Sequence, residues 1–214
     1  CMSKILIRGG RVVTMNEKQE ILERADILVD GGTIASVAAA GDENEETANV
    51  EVDTVIDAEG KVVMPGFVQT HIHLCQTLFR GQADDLELMD WLRLRIWPLE
   101  GGHDEESIYW SAMLGITELI KGGTTAIIDM ETVHHTESAF QAINTSGIRA
   151  TSGKVMMDHG GEVPPTLMES TEDSLKESEE LLRKWHMLDG GRIRYAFAPR
   201  FVVSCTDDLL VRVV

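Results

Sequence analysis

Pro65-Gly66-Phe67-Val68-Gln69-Thr70-His71-Ile72-His73-Leu74 is the stretch on which the reading of this chain turns. Its apolar, β-branched character predicts a strand, and side chains that alternate along a strand send His71 and His73 out on the same face. Two imidazoles so placed can grip one metal ion, zinc or iron by ligand type, although a catalytic site needs further ligands from elsewhere. The alternative is a pair of buried histidines with hydrogen-bond partners. The flanks favour the metal. A Pro-Gly turn launches the strand, and Gln76 and Arg80 follow in a polar loop, the arrangement found at the mouth of a β/α barrel.

Downstream, strand and helix signals alternate, which predicts a parallel sheet of βα units. After strand one (67–74) comes an amphipathic helix near 104–121, then Gly122-Gly123 and strand two, 124–130. A helix over 136–146 stops at Gly147 before strand three, 148–157. A long helix over 166–188 leads through Gly190-Gly191 to strand four, 193–203, and Thr206-Asp207-Asp208 caps a further helix. Upstream, residues 2–64 read as a small β-rich lobe, with Gly9-Gly10 and Asp30-Gly31-Gly32 as hairpin signals and an acidic loop at 41–47. The expected organisation is therefore that lobe followed by a barrel portion, 65–214. A complete (β/α)8 barrel takes about 250 residues, and only four βα units fit here. The expectation is half a barrel, either part of a longer protein or completed by a second chain, and inactive alone.

With 36 acidic against 19 basic side chains in 214 residues, the formal charge is -17. That balance repels nucleic-acid phosphates and anionic membrane surfaces, and it excludes a nucleic-acid partner. A hydrophobic content of 43% suffices for a packed core. No apolar run approaches the roughly 20 residues of a membrane span, and no secretory signal pattern opens the chain, so a cytoplasmic location is expected. Cys75 and Cys205 form neither a disulfide framework nor a metal clip, and reduced thiols are expected. Cys1 is read as an added residue ahead of a natural start at Met2.

The longer run His71-Ile72-His73-Leu74-Cys75-Gln76-Thr77-Leu78-Phe79-Arg80-Gly81, with Ala83-Asp84-Asp85, Asp90-Trp91-Leu92, Ile96-Trp97-Pro98-Leu99-Glu100, Gly122-Gly123-Thr124-Thr125 and Ala198-Pro199-Arg200-Phe201, resembles the amidohydrolase superfamily. Within it, the resemblance is to the branch of purine and related heterocycle deaminases and s-triazine hydrolases. It implies a metal-dependent aminohydrolase acting on a small heterocyclic substrate, a 5′-modified adenosine being favoured by Phe79-Arg80-Gly81 and Glu100. Guanine, 8-oxoguanine or triazine substrates are the alternative, supported by Gln76 and Arg200. A non-catalytic fragment or assembly module is the reading from another class.

By the same resemblance His71 and His73 supply two ligands to one divalent ion, zinc or else iron. A further His and Asp, and the Glu that moves protons, are expected beyond Val214. Strand four carries no lysine of the kind that bridges two metals. Gln76, Glu100, Arg200 and Trp97 are the expected substrate contacts. An amide and a guanidinium suit the lactam edge of an oxopurine, a carboxylate suits ribose hydroxyls, and Trp97, with Trp91, could wall a ring or simply pack. Lys154 is read as a partner for a nearby acid or carbonyl. His134 and His135 are read as helix-start or solvated residues, His159 as a weak pocket candidate, and His103 and His186 as surface residues. Self-association of the open half-barrel is a further expectation.

Overall fold

The computed structural model describes residues 3–39 and 50–214; the acidic 41–47 loop and Cys1 lie outside them. The chain divides into two compact units, Cys1–Pro65 and Gly66–Val214. No helix among the described residues is long and apolar enough to cross a membrane.

In the first unit β1 (Lys4–Val13), β2 (Ile21–Asp30), β3 (Thr33–Ala39) and β4 (Thr54–Asp57) form a sheet in the order β3-β2-β1-β4, with the short β5 (Val62–Val63) also on β1. The Asp30-Gly31-Gly32 signal does make a hairpin, with Asp30 opposite Thr33. Gly9-Gly10 does not. β1 runs straight through both, with register shifts on either side of Gly10, and Gly9 takes φ +75°. The glycines thus absorb an irregularity in one long strand, where the left-handed conformation costs glycine little.

The second unit holds four parallel strands in sequential spatial order. These are β6 (Phe67–Ile72), β7 (Thr124–Met130), β8 (Arg149–Gly153) and β10 (Ile193–Tyr195), ordered β10-β8-β7-β6. Strands three and four each break once and resume, as β9 (Val155–Met156) paired with β11 (Ala198–Pro199). The break brings the backbones together: a Cβ on Gly153 would lie 1.8 Å from the Ala196 carbonyl oxygen, so only glycine fits. The crossovers are α1 (Glu105–Lys121), α2 (Thr136–Ser146) and α3 (Thr171–Trp185), and α4 (Asp207–Arg212) follows strand four. This is the pattern of the first four units of a β/α barrel.

Local chemistry sets the helix ends. The Asp104 side chain caps α1 by accepting from Ser107 N at 2.8 Å, and the Ser107 hydroxyl accepts from Asp104 N in return. Gly147, at φ +79°, stops α2. The third helix is shorter than the expected 166–188. Ser170 caps it by accepting from Asp173 N at 3.0 Å, and the chain turns extended at His186. The expected start is too early: Thr166-Leu167-Met168-Glu169 follow Pro164-Pro165 as a non-helical turn whose Leu167 packs into the core, and the helix begins only after Ser170.

On α1 the residues Ile108, Ala112, Gly115 and Ile116 form the buried stripe. They pack with Leu74, Ile127, Phe140, Ile143, Ala150, Trp185 and Ile193 into the core between sheet and helices. Gly115 lets α1 approach the loop after the histidines, since a Cβ there would lie 2.6 Å from Thr77 Oγ1. From that close position the buried Ser111 hydroxyl donates to the carbonyls of Leu74 and Cys75, at 2.8 and 3.0 Å. The helix thereby holds the segment that carries the site.

Candidate metal centre and substrate wall

β6 does not pair evenly with β7. Gln69 stands opposite Ile127 and Ile72 opposite Asp129, so three steps on one strand match two on the other. A bulge therefore falls at Thr70-His71, the kind of irregularity that re-aims a side chain beside a site. The two imidazoles end up edge to face with ring centroids 4.9 Å apart, His71 exposed and His73 half-buried. His73 Nδ1 lies 2.7 Å from the Met130 carbonyl oxygen, which makes Nδ1 the protonated nitrogen and leaves Nε2 with its lone pair free. Burial holds the His73 pKa below its ordinary value, with the nearby Arg200 acting in the same direction and the Met130 carbonyl opposing. A neutral imidazole with one nitrogen anchored on a carbonyl is what a metal ligand requires. The donor set thus fits a divalent ion as far as it goes. Among the described residues no cluster of three or more His, Cys, Asp or Glu is placed to hold one, so a metal site built on His71 and His73 needs further ligands.

After His73 the chain forms a 3-10 segment, Leu74–Phe79, and later one continuous helical run. That run is an α turn at Leu88–Trp91, a π turn at Leu92–Ile96 and an α turn at Trp97–Glu100. The run delivers Glu100 into the interior, 3% exposed. There it meets Arg200, from just beyond β11. Arg200 Nη1 donates to Glu100 Oε2 at 2.6 Å and Nη2 to Oε1 at 3.3 Å, with the two side chains 5% and 0% exposed. Gln76 Nε2 donates to the same Oε1 at 2.7 Å, leaving the Gln76 carbonyl oxygen as an unspent acceptor. Three of the four expected substrate contacts are therefore one buried network, directly after the histidine strand.

Their separate assignments change accordingly. Glu100 has no exposed carboxylate surface and already serves Gln76 and Arg200, so it is not presented as an open acceptor for a ribose diol. Trp97, expected as a wall, is 2% exposed and packs among Leu92, Ile96, Val133, Val155, Met157 and Leu167. Here it is a core residue, because the π turn rotates it inward. Trp91 packs partly buried against the same cluster. His103, expected at the surface, is half-buried: its ring stacks on Phe79 at 4.9 Å, with Nε2 2.9 Å from the Cys75 carbonyl. Burial pushes its pKa down against that carbonyl.

His135, at φ +61°, precedes α2, and it and His159 are exposed. Lys154 is fully buried and donates to the Val133 carbonyl and to Glu169 Oε2 at 2.7 Å, with Glu177 at 3.3 Å. A cleft of about 460 Å³ also touches His73 and Gln76, but the rest of its lining, which includes Thr77, Gly115, Thr124 and the exposed Arg80–Glu118 pair, contains neither Glu100 nor Arg200.

Two acids that went unnoticed in the sequence sit behind the histidine strand. Asp129 and Glu131 are 4% and 0% exposed. Asp129 accepts from Leu74 N at 2.9 Å and from the Ser152 hydroxyl. Burial raises its pKa to about 6, against those hydrogen bonds. Neither carboxyl oxygen of Glu131 has a hydrogen-bond partner among the described residues. Burial, then Asp129 and Glu100, raise its pKa well above the usual carboxylate range, and the Cys75 thiol is pushed up by its own burial, then by Glu131, Glu100 and Asp129. The signal was present: in Ile127-Ile128-Asp129-Met130-Glu131 the two-residue period puts both acids on the face of buried Ile127.

Comparisons with known proteins identify the family. The chain is 38% identical over 209 residues, 98% of its length, to a 5-methylthioadenosine/S-adenosylhomocysteine deaminase of Desulforamulus reducens, of which it covers 45%. The guanine deaminase of E. coli superposes with a TM-score of 0.82 at 28% identity, over 97% of this chain and 49% of that one. A zinc-complexed atrazine chlorohydrolase of Arthrobacter aurescens TC1 does so with a TM-score of 0.82 at 25% identity, over 96% and 48%. The chain thus spans about half the length of the proteins it matches. The model of the amidohydrolase family matches residues 62–214, and with that match covering most of the chain, the protein belongs to the amidohydrolase family.

Proposed function

We propose that this chain supplies two ligands and part of the substrate wall of a metal-dependent aminohydrolase, one that removes an amino group from a purine or purine-like heterocycle. The observation that carries the reading is the anchored histidine pair: His71 and His73 side by side, with His73 Nδ1 on the Met130 carbonyl and Nε2 free. A divalent ion bound there supplies Lewis acidity, which activates water near neutral pH. Zinc is the ion we favour, since imidazole suits it and a zinc-complexed structure is among the neighbours.

The chain's own contribution is placement. Met130 keeps His73 in one tautomer, and Glu100 holds the Gln76 amide and the Arg200 guanidinium in fixed positions, so that Gln76 Oε1 is offered to a substrate without reorganisation while Arg200, 5% exposed, braces the network. A 5′-modified adenosine is the first substrate class, supported by the 38% identity to a deaminase of that type. An oxopurine or triazine is the second. The specific observation favouring it is that Glu100 is engaged by Arg200 and Gln76, so the polar group left for a ligand is the Gln76 carbonyl oxygen, an acceptor that suits a lactam N–H. The free, buried Cys75 and Cys205 support a reducing, cytoplasmic setting.

The test is metal content by plasma emission on His71→Ala and His73→Ala, together with ammonia release from 5′-methylthioadenosine and from guanine. The expected result is loss of most bound zinc and of nearly all turnover in both variants. Full zinc occupancy in both folded variants would overturn the assignment.

A further inference from the structure

Leu74 opens the 3-10 segment, and the first amides of such a segment have no partner within it. The residue before it, His73, offers no side-chain cap. The orphan Leu74 N–H is satisfied instead from another strand. Asp129, 55 residues on, accepts it at 2.9 Å, and its second oxygen accepts from the Ser152 hydroxyl of β8. The next residue of β7, Met130, holds the His73 ring through Nδ1 at 2.7 Å. Two consecutive residues of β7 therefore grip His73, one by its ring and the other by the peptide that follows it. The grip acts just after the bulge, where β6 has lost regular pairing with β7 between Gln69 and Ile72. Without those ladder bonds, the backbone carrying the histidines needs some other restraint.

We propose that Asp129 is a positioning residue for the metal centre: its carboxylate, fixed by Ser152, pins the Leu74 amide and so sets the direction in which His73 Nε2 points. The role rests on the reading of His73 as a metal ligand. An aspartate suits the task because it accepts two hydrogen bonds on different oxygens, and a charged acceptor makes the stronger bond to a backbone N–H. It lies 4% exposed, so water cannot take its place at Leu74.

The test compares Asp129→Leu, branched at Cγ like aspartate but without an acceptor, with Asp129→Asn, whose amide oxygen can still accept from Leu74 and whose NH2 can donate to the Ser152 hydroxyl. His73→Ala is the control. The readouts are zinc affinity of the intact protein by chelator competition and the visible spectrum of its cobalt(II) form, with folding checked by circular dichroism. Zinc affinity should fall about 10- to 100-fold in Asp129→Leu, the scale for losing an outer partner of a ligand, with a changed cobalt spectrum. Asp129→Asn should restore most of both. A folded Asp129→Leu that binds zinc within twofold of wild type, while His73→Ala loses it, overturns the positioning role alone. Unchanged affinity in His73→Ala overturns the metal reading beneath it. If Asp129→Leu does not fold, Ser152→Ala reads the same link, since it frees the carboxylate to turn: a several-fold loss of affinity supports the role and an unchanged affinity overturns it.

Discussion

Replacing Arg200 with Met should destabilise the protein far more than loss of an ordinary ion pair. Exposed pairs are worth about 0–1 kcal/mol, whereas removing one partner of a buried pair costs about 3–5 kcal/mol because a desolvated charge is left behind. Burial decides which regime applies, and here the Glu100 and Arg200 side chains are 0% and 5% exposed. In Arg200→Met, Glu100 loses the donors at 2.6 and 3.3 Å and keeps Gln76 Nε2 at 2.7 Å, with a long thiol contact from Cys75 at 3.9 Å. One hydrogen bond does not solvate a carboxylate, so the upper range applies. Neutralising the acid as well, in Glu100→Gln/Arg200→Met, removes the stranded charge and should leave a loss of about 1–2 kcal/mol, the scale of one or two neutral hydrogen bonds. The difference is the coupling between the two sites.

Urea melts of the single and double variants of the intact protein at pH 8 read both losses. A loss under 1 kcal/mol at pH 8, or a double variant no more stable than the single, would refute the reasoning.

Glu131→Gln should stabilise the protein, and more so at pH 8 than at pH 5. The Glu131 pKa is raised in the fold by burial and by Asp129 and Glu100, so the native acid loses stability as pH climbs from the unfolded value towards the folded one; thermal melts across that range check it, and a lower melting temperature at pH 8 would count against it. Lys154→Met should cost about 3–5 kcal/mol by stranding Glu169 in the interior, with Lys154→Met/Glu169→Leu recovering most of it, read by urea denaturation. An unchanged midpoint in the single variant would mean that Glu169 finds water.

The elements that could be read from the sequence are those whose signal is local. Strands one and two are runs rich in apolar and β-branched residues that start at Pro65-Gly66 and at Gly122-Gly123, and α1 and α2 carry their own cap and stop, Asp104 with Ser107 and Gly147. The misreadings fall where a local signal has two structural uses. Gly9-Gly10 supplies a left-handed residue, which serves a bulge as well as a hairpin. Thr166-Leu167-Met168-Glu169 has helix-like composition, but the two prolines ahead of it and the serine cap decide the start. Of the two readings of Trp97 the packing one holds, on a helical run whose π turn no periodicity of 3.6 anticipates, while the burial of His103 depends on Phe79 and the Cys75 carbonyl, more than twenty residues earlier.

The site divides in the same way. His71 and His73 were legible because their relation is two residues long, although the bulge that aims them was not. Glu100 and Arg200 lie 100 residues apart. Each was read as a free group facing a substrate, which is how a polar residue in a barrel-mouth loop looks when its partner is unknown. Once paired, their chemistry inverts: the carboxylate stops being a reader of hydroxyls and becomes the fixed point that orients Gln76 and Arg200. Asp129 shows the converse. Its alternation with Ile127 announced a buried acid, and a buried acid must have donors. Which donors it has, an amide beside the metal strand and a hydroxyl on the next strand, is set by the order of the parallel sheet, β8 beside β7 beside β6. The residues that carry the chemistry were therefore within reach of the sequence, while the residues that hold them in place became visible only when strands far apart in the chain were laid side by side.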